Sequence, residues 1–86
     1  MIDIELKPRT EAPFYLQIRT RLEAAIREGQ LKAGEALAAP AALARKLSID
    51  TGEVARAYFE LEHAGLVNKA TGKDFLGKEK VTYTVK

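Results

Sequence analysis

The chain has 86 residues, 14 of them basic and 12 acidic for a net charge of +2, and no cysteine. That length allows one small core and leaves no room for a separate ligand-binding domain. Without cysteine there are no disulfides or thiolate metal sites, the lone His63 argues against any metal site, and so mild a basicity permits a nucleic-acid partner without requiring one.

No apolar run approaches the roughly 20 residues that span a bilayer. The opening MIDIELK lacks a signal-peptide layout. The expectation is a cytoplasmic protein with no membrane partner. Ile2, Ile4 and Leu6 alternate with Asp3, Glu5 and Lys7, the pattern of a short half-buried strand. Pro8 ends it, and Arg9 to Glu11 form a polar connector. Such a strand can pair with the C-terminal hairpin or with a second copy of the chain. Pro13 opens the first helix, with Phe14 (or Tyr15), Ile18, Leu22, Ala25 and Ile26 as its apolar stripe. Arg19, Arg21, Glu23, Arg27 and Glu28 take the other faces, Gly29 caps the end, and Gln30 to Glu35 form a turn with Leu31 tucked inward.

The stretch from Leu37 to Val67 reads as a short helix, a tight turn and a longer helix. Pro40 suits a first helical turn, where its missing N–H is not needed. Leu43, Ala44 and Leu47 line one face, and Ser48-Ile49 make the turn. Asp50 is a good N-cap, and Glu53 three residues later completes a capping box. Val54, Ala57, Tyr58 and Leu61 form one buried stripe, and Gly65 supplies a left-handed stop. This is a helix-turn-helix, whose second helix enters the DNA major groove in proteins of that kind. Leu66 to Lys69 then reads as a strand, Ala70 to Glu79 as a glycine- and lysine-rich loop, and Val81, Tyr83 and Val85 as the inward positions of a second strand.

The expected fold is mostly α with a small β hairpin: a winged helix-turn-helix of three helices, a β-wing and a short N-terminal strand. One domain covers 1–86, with strand and connector at 1–12, helix one and the helix-turn-helix at 13–67, and the wing at 66–86.

The run from Pro13 to Val67 resembles the N-terminal DNA-binding domain of GntR-type bacterial transcription regulators. The resemblance is carried by Pro13-Phe14-Tyr15-Leu16-Gln17-Ile18, Ile26, Gly29 to Glu35, Leu37, Leu43-Ala44, Leu47, Val54, Ala57, Glu60-Leu61-Glu62 and Gly65-Leu66-Val67. The opening strand and P-F-Y-L-Q-I look like the small-regulator branch. The resemblance implies a winged helix without an effector domain, usually dimeric, on a palindromic operator. Where the family has L-P-S-x-R-x-L-A, Ala39 replaces the serine and Ala41 the arginine. Where it has S-R-x-T-V-R-x-A, Thr51, Glu53 and Ala55 replace arginine, threonine and arginine. The wing's G-x-G-T stands as Gly72-Lys73-Asp74-Phe75.

The outward face of the second motif helix carries Gly52, Ala55, Arg56, Phe59 and His63. From Asp50 to Ala64 four acids oppose Arg56 alone, a net −3. The expected partner is double-stranded DNA, bound by a homodimer. Thr51, Gly52, Ala55 and Arg56 face the major groove, Lys69 and Lys73 serve the wing, and Arg45 and Lys46 meet phosphates. A degenerate winged helix used for protein–protein contact through the Phe59 face is the alternative. No nucleophile–base set, phosphate loop or metal cluster can be assembled from the sequence, so neither catalysis nor a cofactor is expected.

Overall fold

Proline and aspartate start the helices, and left-handed residues stop them. The computed structural model describes residues 1–86, with α1 at Phe14–Arg27, α2 at Pro40–Leu47, α3 at Thr51–His63, β1 at Val67–Lys73 and β2 at Glu79–Val85. Pro13 caps α1, its carbonyl accepting from the N–H groups of Leu16 and Gln17 at 3.1 Å each. Pro40 occupies the first turn of α2, and Asp50 caps α3 by accepting from the Gly52 N–H at 3.1 Å.

All three helices end in the same double hydrogen bond. Gln30, Ile49 and Leu66 donate to the carbonyls of Ala25, Ala44 and Leu61, while Gly29, Ser48 and Gly65 donate to Ile26, Arg45 and Glu62. This Schellman arrangement needs a left-handed residue. Gly29 and Gly65 supply it at φ +79°, and Ser48 does so at φ 59° between α2 and α3.

The core is a single cluster of fifteen buried side chains, none polar. Ile18, Leu22 and Ala25 of α1, Leu43 and Ala44 of α2, and Val54, Ala57, Tyr58 and Leu61 of α3 bring their predicted stripes together. Leu31 and Leu37 from the connector, and Val67, Tyr83 and Val85 from the hairpin, close it. In the α1 stripe Tyr15 packs against the cluster and Phe14 does not. The Tyr58 hydroxyl donates to the Ala38 carbonyl at 2.7 Å, and its ring meets the Tyr83 ring edge-on at 5.0 Å.

The hairpin is antiparallel, from Val67 opposite Val85 to Lys73 opposite Glu79. It is longer than the sequence pattern indicated. Residues Ala70 to Lys73, expected in a loop, continue β1, and Glu79 begins β2, leaving a turn at Asp74–Lys78. The other edge of β2 is also paired. Gly34 and Leu37 donate to the Val85 and Tyr83 carbonyls at 2.7 and 2.8 Å, and Val85 donates to Glu35 at 2.9 Å. The segment expected as a simple turn therefore lies along β2, with Ala36 bridging Thr84.

The expected N-terminal strand does not form. Ile2, Ile4 and Leu6 do turn toward the core, with Ile4 buried, but their backbone joins no sheet. The Gln17 side chain holds the segment's end, accepting from the Lys7 N–H at 2.7 Å and donating to the Lys7 and Ala12 carbonyls at 3.0 and 2.8 Å. Both edges of β2 are taken, by β1 and by residues 34–37, so the segment cannot pair there, and it forms no ladder with the open edge of β1.

Ala39 has the backbone of an N-cap, φ −58° and ψ 144°, with no side chain to cap α2. Ala39→Ser should add about 0.5–1 kcal/mol, read as a raised thermal midpoint. Burial, then the neighbouring Tyr83, pushes the Tyr58 hydroxyl far above the ordinary phenol range. The folded state therefore keeps this proton where the unfolded chain releases it, and this contribution to stability falls as pH rises beyond the unfolded value near 10.0. Tyr58→Phe should be less stable at neutral pH by about 1–2 kcal/mol, with the difference narrowing in urea titrations above about pH 10.

Candidate nucleic-acid interface

The turn between α2 and α3 sets the exposed surface. Ser48 reverses the chain, Ile49 tucks back, and Asp50 starts α3 immediately, so the end of α2 and the start of α3 share one edge. That edge holds Arg45 and Lys46, both exposed at the end of α2, and the exposed Thr51 and Gly52. Arg45 has no ion-pair partner within the chain, and Lys46 lies 3.9 Å from the almost fully exposed Asp3 carboxylate. An exposed pair at that distance contributes little.

Val54, Ala57, Tyr58 and Leu61 point α3 into the core, so Gly52, Arg56, Phe59 and His63 face solvent and Ala55 lies at the border. Phe59 does not pack under the wing or the N-terminal segment. It is 55% exposed, its ring 4.2 Å from that of His63.

Two acids of α3, Glu53 and Glu60, are engaged on its α1 side. Glu53 does not close the expected capping box. Its carboxylate instead meets the Arg9 guanidinium at 3.0 Å, and Arg9 also lies 4.5 Å over the Phe14 ring. Glu60 accepts from Arg19 at 2.7 Å and from the Arg56 Nε at 3.4 Å. Arg56 in turn lies 3.8 Å over the Tyr15 ring. This holds the Arg56 stem along the α1–α3 seam and leaves its two terminal nitrogens without a partner in the chain. Residues outside the motif thus offset two of the four acids that give this stretch its −3.

Opposed residues of an antiparallel pair share a face. Lys69 is opposite Tyr83 and Lys73 opposite Glu79, so both lysines lie on the hairpin face that packs on the helices at its base, while Lys80, opposite Gly72, lies on the other. At about 3.3 Å per residue, Lys73 stands roughly 20 Å beyond the buried Val67.

The predicted residues thus form two groups. Arg45, Lys46, Thr51, Gly52, Ala55 and Arg56 gather along the α2 edge and the outer face of α3, while Lys69 and Lys73 stand apart on the wing. Arg9, Tyr15 and Arg19, which the sequence offered only as connector and helix-one positions, hold the α3 charges. No group of three His, Cys, Asp or Glu side chains is placed to hold a metal, and no helix is long and apolar enough to cross a membrane. The two ion pairs should differ in strength. The Arg19 and Glu60 side chains are 36% and 26% exposed, whereas Arg9 is 63% exposed. Double-mutant cycles in chemical denaturation should give a coupling of about 0.5–1 kcal/mol for Arg19–Glu60 and less for Arg9–Glu53. Only the second should vanish in high salt.

Comparison with known proteins places this geometry. The family model described as bacterial regulatory proteins, gntR family, matches residues 14–75. Among solved structures, the chain is similar to YtrA from Sulfolobus acidocaldarius, a GntR-family transcription factor. The TM-score is 0.73 at 29% identity, over 99% of this chain and 79% of that one. It also shares its fold with a transcriptional antiterminator from Listeria monocytogenes EGD-e, with a TM-score of 0.75 at 24% identity over 100% of this chain and 57% of that one. No curated protein matches. With three helices, a hairpin wing and a family match running from α1 into the wing turn, the chain belongs to the gntR family of bacterial regulatory proteins.

Proposed function

We propose that the chain is a single winged-helix unit that binds duplex DNA sequence-specifically, as a cytoplasmic transcription regulator with no catalytic role. It acts as a homodimer on a palindromic site. One observation carries this reading: Glu53 and Glu60 are held in ion pairs on the α1 side of α3, while Gly52, Ala55 and the free end of Arg56 lie on the outer face beside Phe59 and His63. A helix with such a face fits the major groove, where Thr51, Gly52 and Ala55 allow close approach and the Arg56 fork reads guanine or phosphate. Arg45 and Lys46 meet phosphates beside it, and Lys69 and Lys73 carry the wing along the backbone. Membership of a family of regulators and likeness to a GntR-family transcription factor support the same reading. The N-terminal segment, extended and without a sheet partner, or the hairpin supplies the dimer contact.

The test is enrichment from random-sequence duplex DNA at two salt concentrations. An enriched palindrome with half-sites about one helical turn apart is the expected result. Salt-insensitive binding with no enrichment would overturn the reading. The exposure of Phe59 favours a second reading, contact with a protein partner, which predicts that Phe59→Asp abolishes partner capture and leaves the fold intact. On the DNA reading, Arg56→Ala should weaken binding to the enriched site by about 1–3 kcal/mol and relax preference at the bases it faces. Lys73→Ala should weaken binding to all sequences alike and reduce the salt slope by about one.

A further inference from the structure

The wing ends in an apolar point that the fold does not use. Phe75 is 95% exposed and Leu76 66%, and neither belongs to the hydrophobic cluster or packs against it. The point is nevertheless firmly built. Asp74 donates its N–H to the Lys78 carbonyl at 2.9 Å and accepts from the Gly77 N–H at 3.0 Å. Its side chain accepts from the N–H groups of Leu76 and Lys78 at 2.9 and 3.0 Å. Gly77 sits at φ +79°. These bonds describe a three-residue hairpin loop, a tight turn followed by a left-handed glycine. Phe75 and Leu76 occupy its two central positions, where polar residues, Gly and Pro ordinarily predominate.

We propose that Phe75 and Leu76 are an apolar wedge that enters the DNA minor groove, partly unstacks a base step and bends the duplex. This deepens the DNA-binding reading and rests on it. Three features favour this occupant. Lys73, Lys78 and Lys80 outnumber Asp74 and Glu79 around the tip, and the Asp74 carboxylate is taken up by backbone donors, so the apolar point stands in a mildly positive setting. The tip is a three-residue turn at the end of two paired strands, so its two apolar side chains project from the body of the fold toward whatever groove the wing meets. The loop is also ordered before binding, so insertion incurs little ordering cost. Apolar side chains inserted at base steps kink duplexes by about 20–90°.

The test uses the whole chain and the Phe75→Ser/Leu76→Ser variant on the enriched duplex. Base steps flanking the site carry 2-aminopurine, and the ends carry a donor–acceptor pair. Both substituted side chains are largely exposed, so the variant should melt like the parent chain. The parent should brighten 2-aminopurine at one step and shorten the end-to-end distance. The variant should do neither and bind roughly tenfold more weakly. Its salt slope should be unchanged, because no phosphate contact is lost. A variant that bends and binds DNA like the parent would overturn the wedge and leave the DNA reading standing. Failure of the parent chain to bind any duplex would overturn both. Phe75-dependent flotation with phosphatidylglycerol–phosphatidylcholine vesicles, without DNA bending, would overturn the wedge in favour of a membrane contact.

Discussion

The placement of α3 against the start of α2 and against the wing depends on Tyr58. Its ring is fully buried in α3, its hydroxyl donates to the Ala38 carbonyl just before α2, and its edge meets Tyr83 in β2. One side chain therefore references α3 both to the helix that precedes it and to the wing that follows. A buried hydroxyl without its acceptor costs about 1–3 kcal/mol, and an aromatic pair adds about 0.5–1.5 kcal/mol beyond its burial. Those are large terms for a core of fifteen residues. They are also directional, which generic apolar packing is not. The angle between α3 and the wing is thus set by a hydrogen bond and a ring contact as well as by volume.

The second constraint is electrostatic. A helix with three acids, an aspartate cap and one base is a poor surface for a polyanion unless its charges are held away from the ligand. Here Glu60 lies between Arg19 and Arg56, and Glu53 against Arg9. Arg9, Tyr15 and Arg19 all precede the motif, in the connector and in α1. Helix one therefore does more than cover the core: through Arg19 it offsets one acid of α3, and through Tyr15 it supplies the ring on which Arg56 rests. The Arg19 Nε is buried without a partner, so this arrangement carries a local cost that the 2.7 Å pair to Glu60 offsets.

The core was legible because its signal is periodic. The stripe Val54-Ala57-Tyr58-Leu61 and the stops at Gly29 and Gly65 follow from spacing and from backbone freedom, both of which are local. Partners across the chain were not legible. Glu53 lies at the right distance for a capping box, but its carboxylate meets a guanidinium from 44 residues away instead, a contact that spacing along the helix does not report. Ile2–Leu6 has the alternation of a strand, but alternation reports burial of one face and says nothing of a ladder partner. Lys73 and Glu79 read as loop residues because glycine and lysine are weak strand formers, yet a tight turn at Asp74–Lys78 carries the pairing out to them. At the candidate interface, the residues on the α3 face could be named from the helical period, whereas the α1 residues that control their charge could not.

On the DNA-binding reading, the modest net charge of +2 determines how selectivity would arise. A single chain with few free bases neutralises few phosphates, so it holds random DNA weakly. Pairing two chains doubles the number of phosphate contacts and makes the second half-site an intramolecular event, so affinity rises steeply only where both half-sites are correctly spaced. A strongly basic surface would blur that distinction by binding everywhere. The acids of α3 and their arginine partners are then consistent with selection for discrimination over raw affinity. The hydrogen-bonded geometry around Tyr58 holds α3 and the wing in fixed relation within each chain, so that the contact between two chains alone would set the half-site spacing.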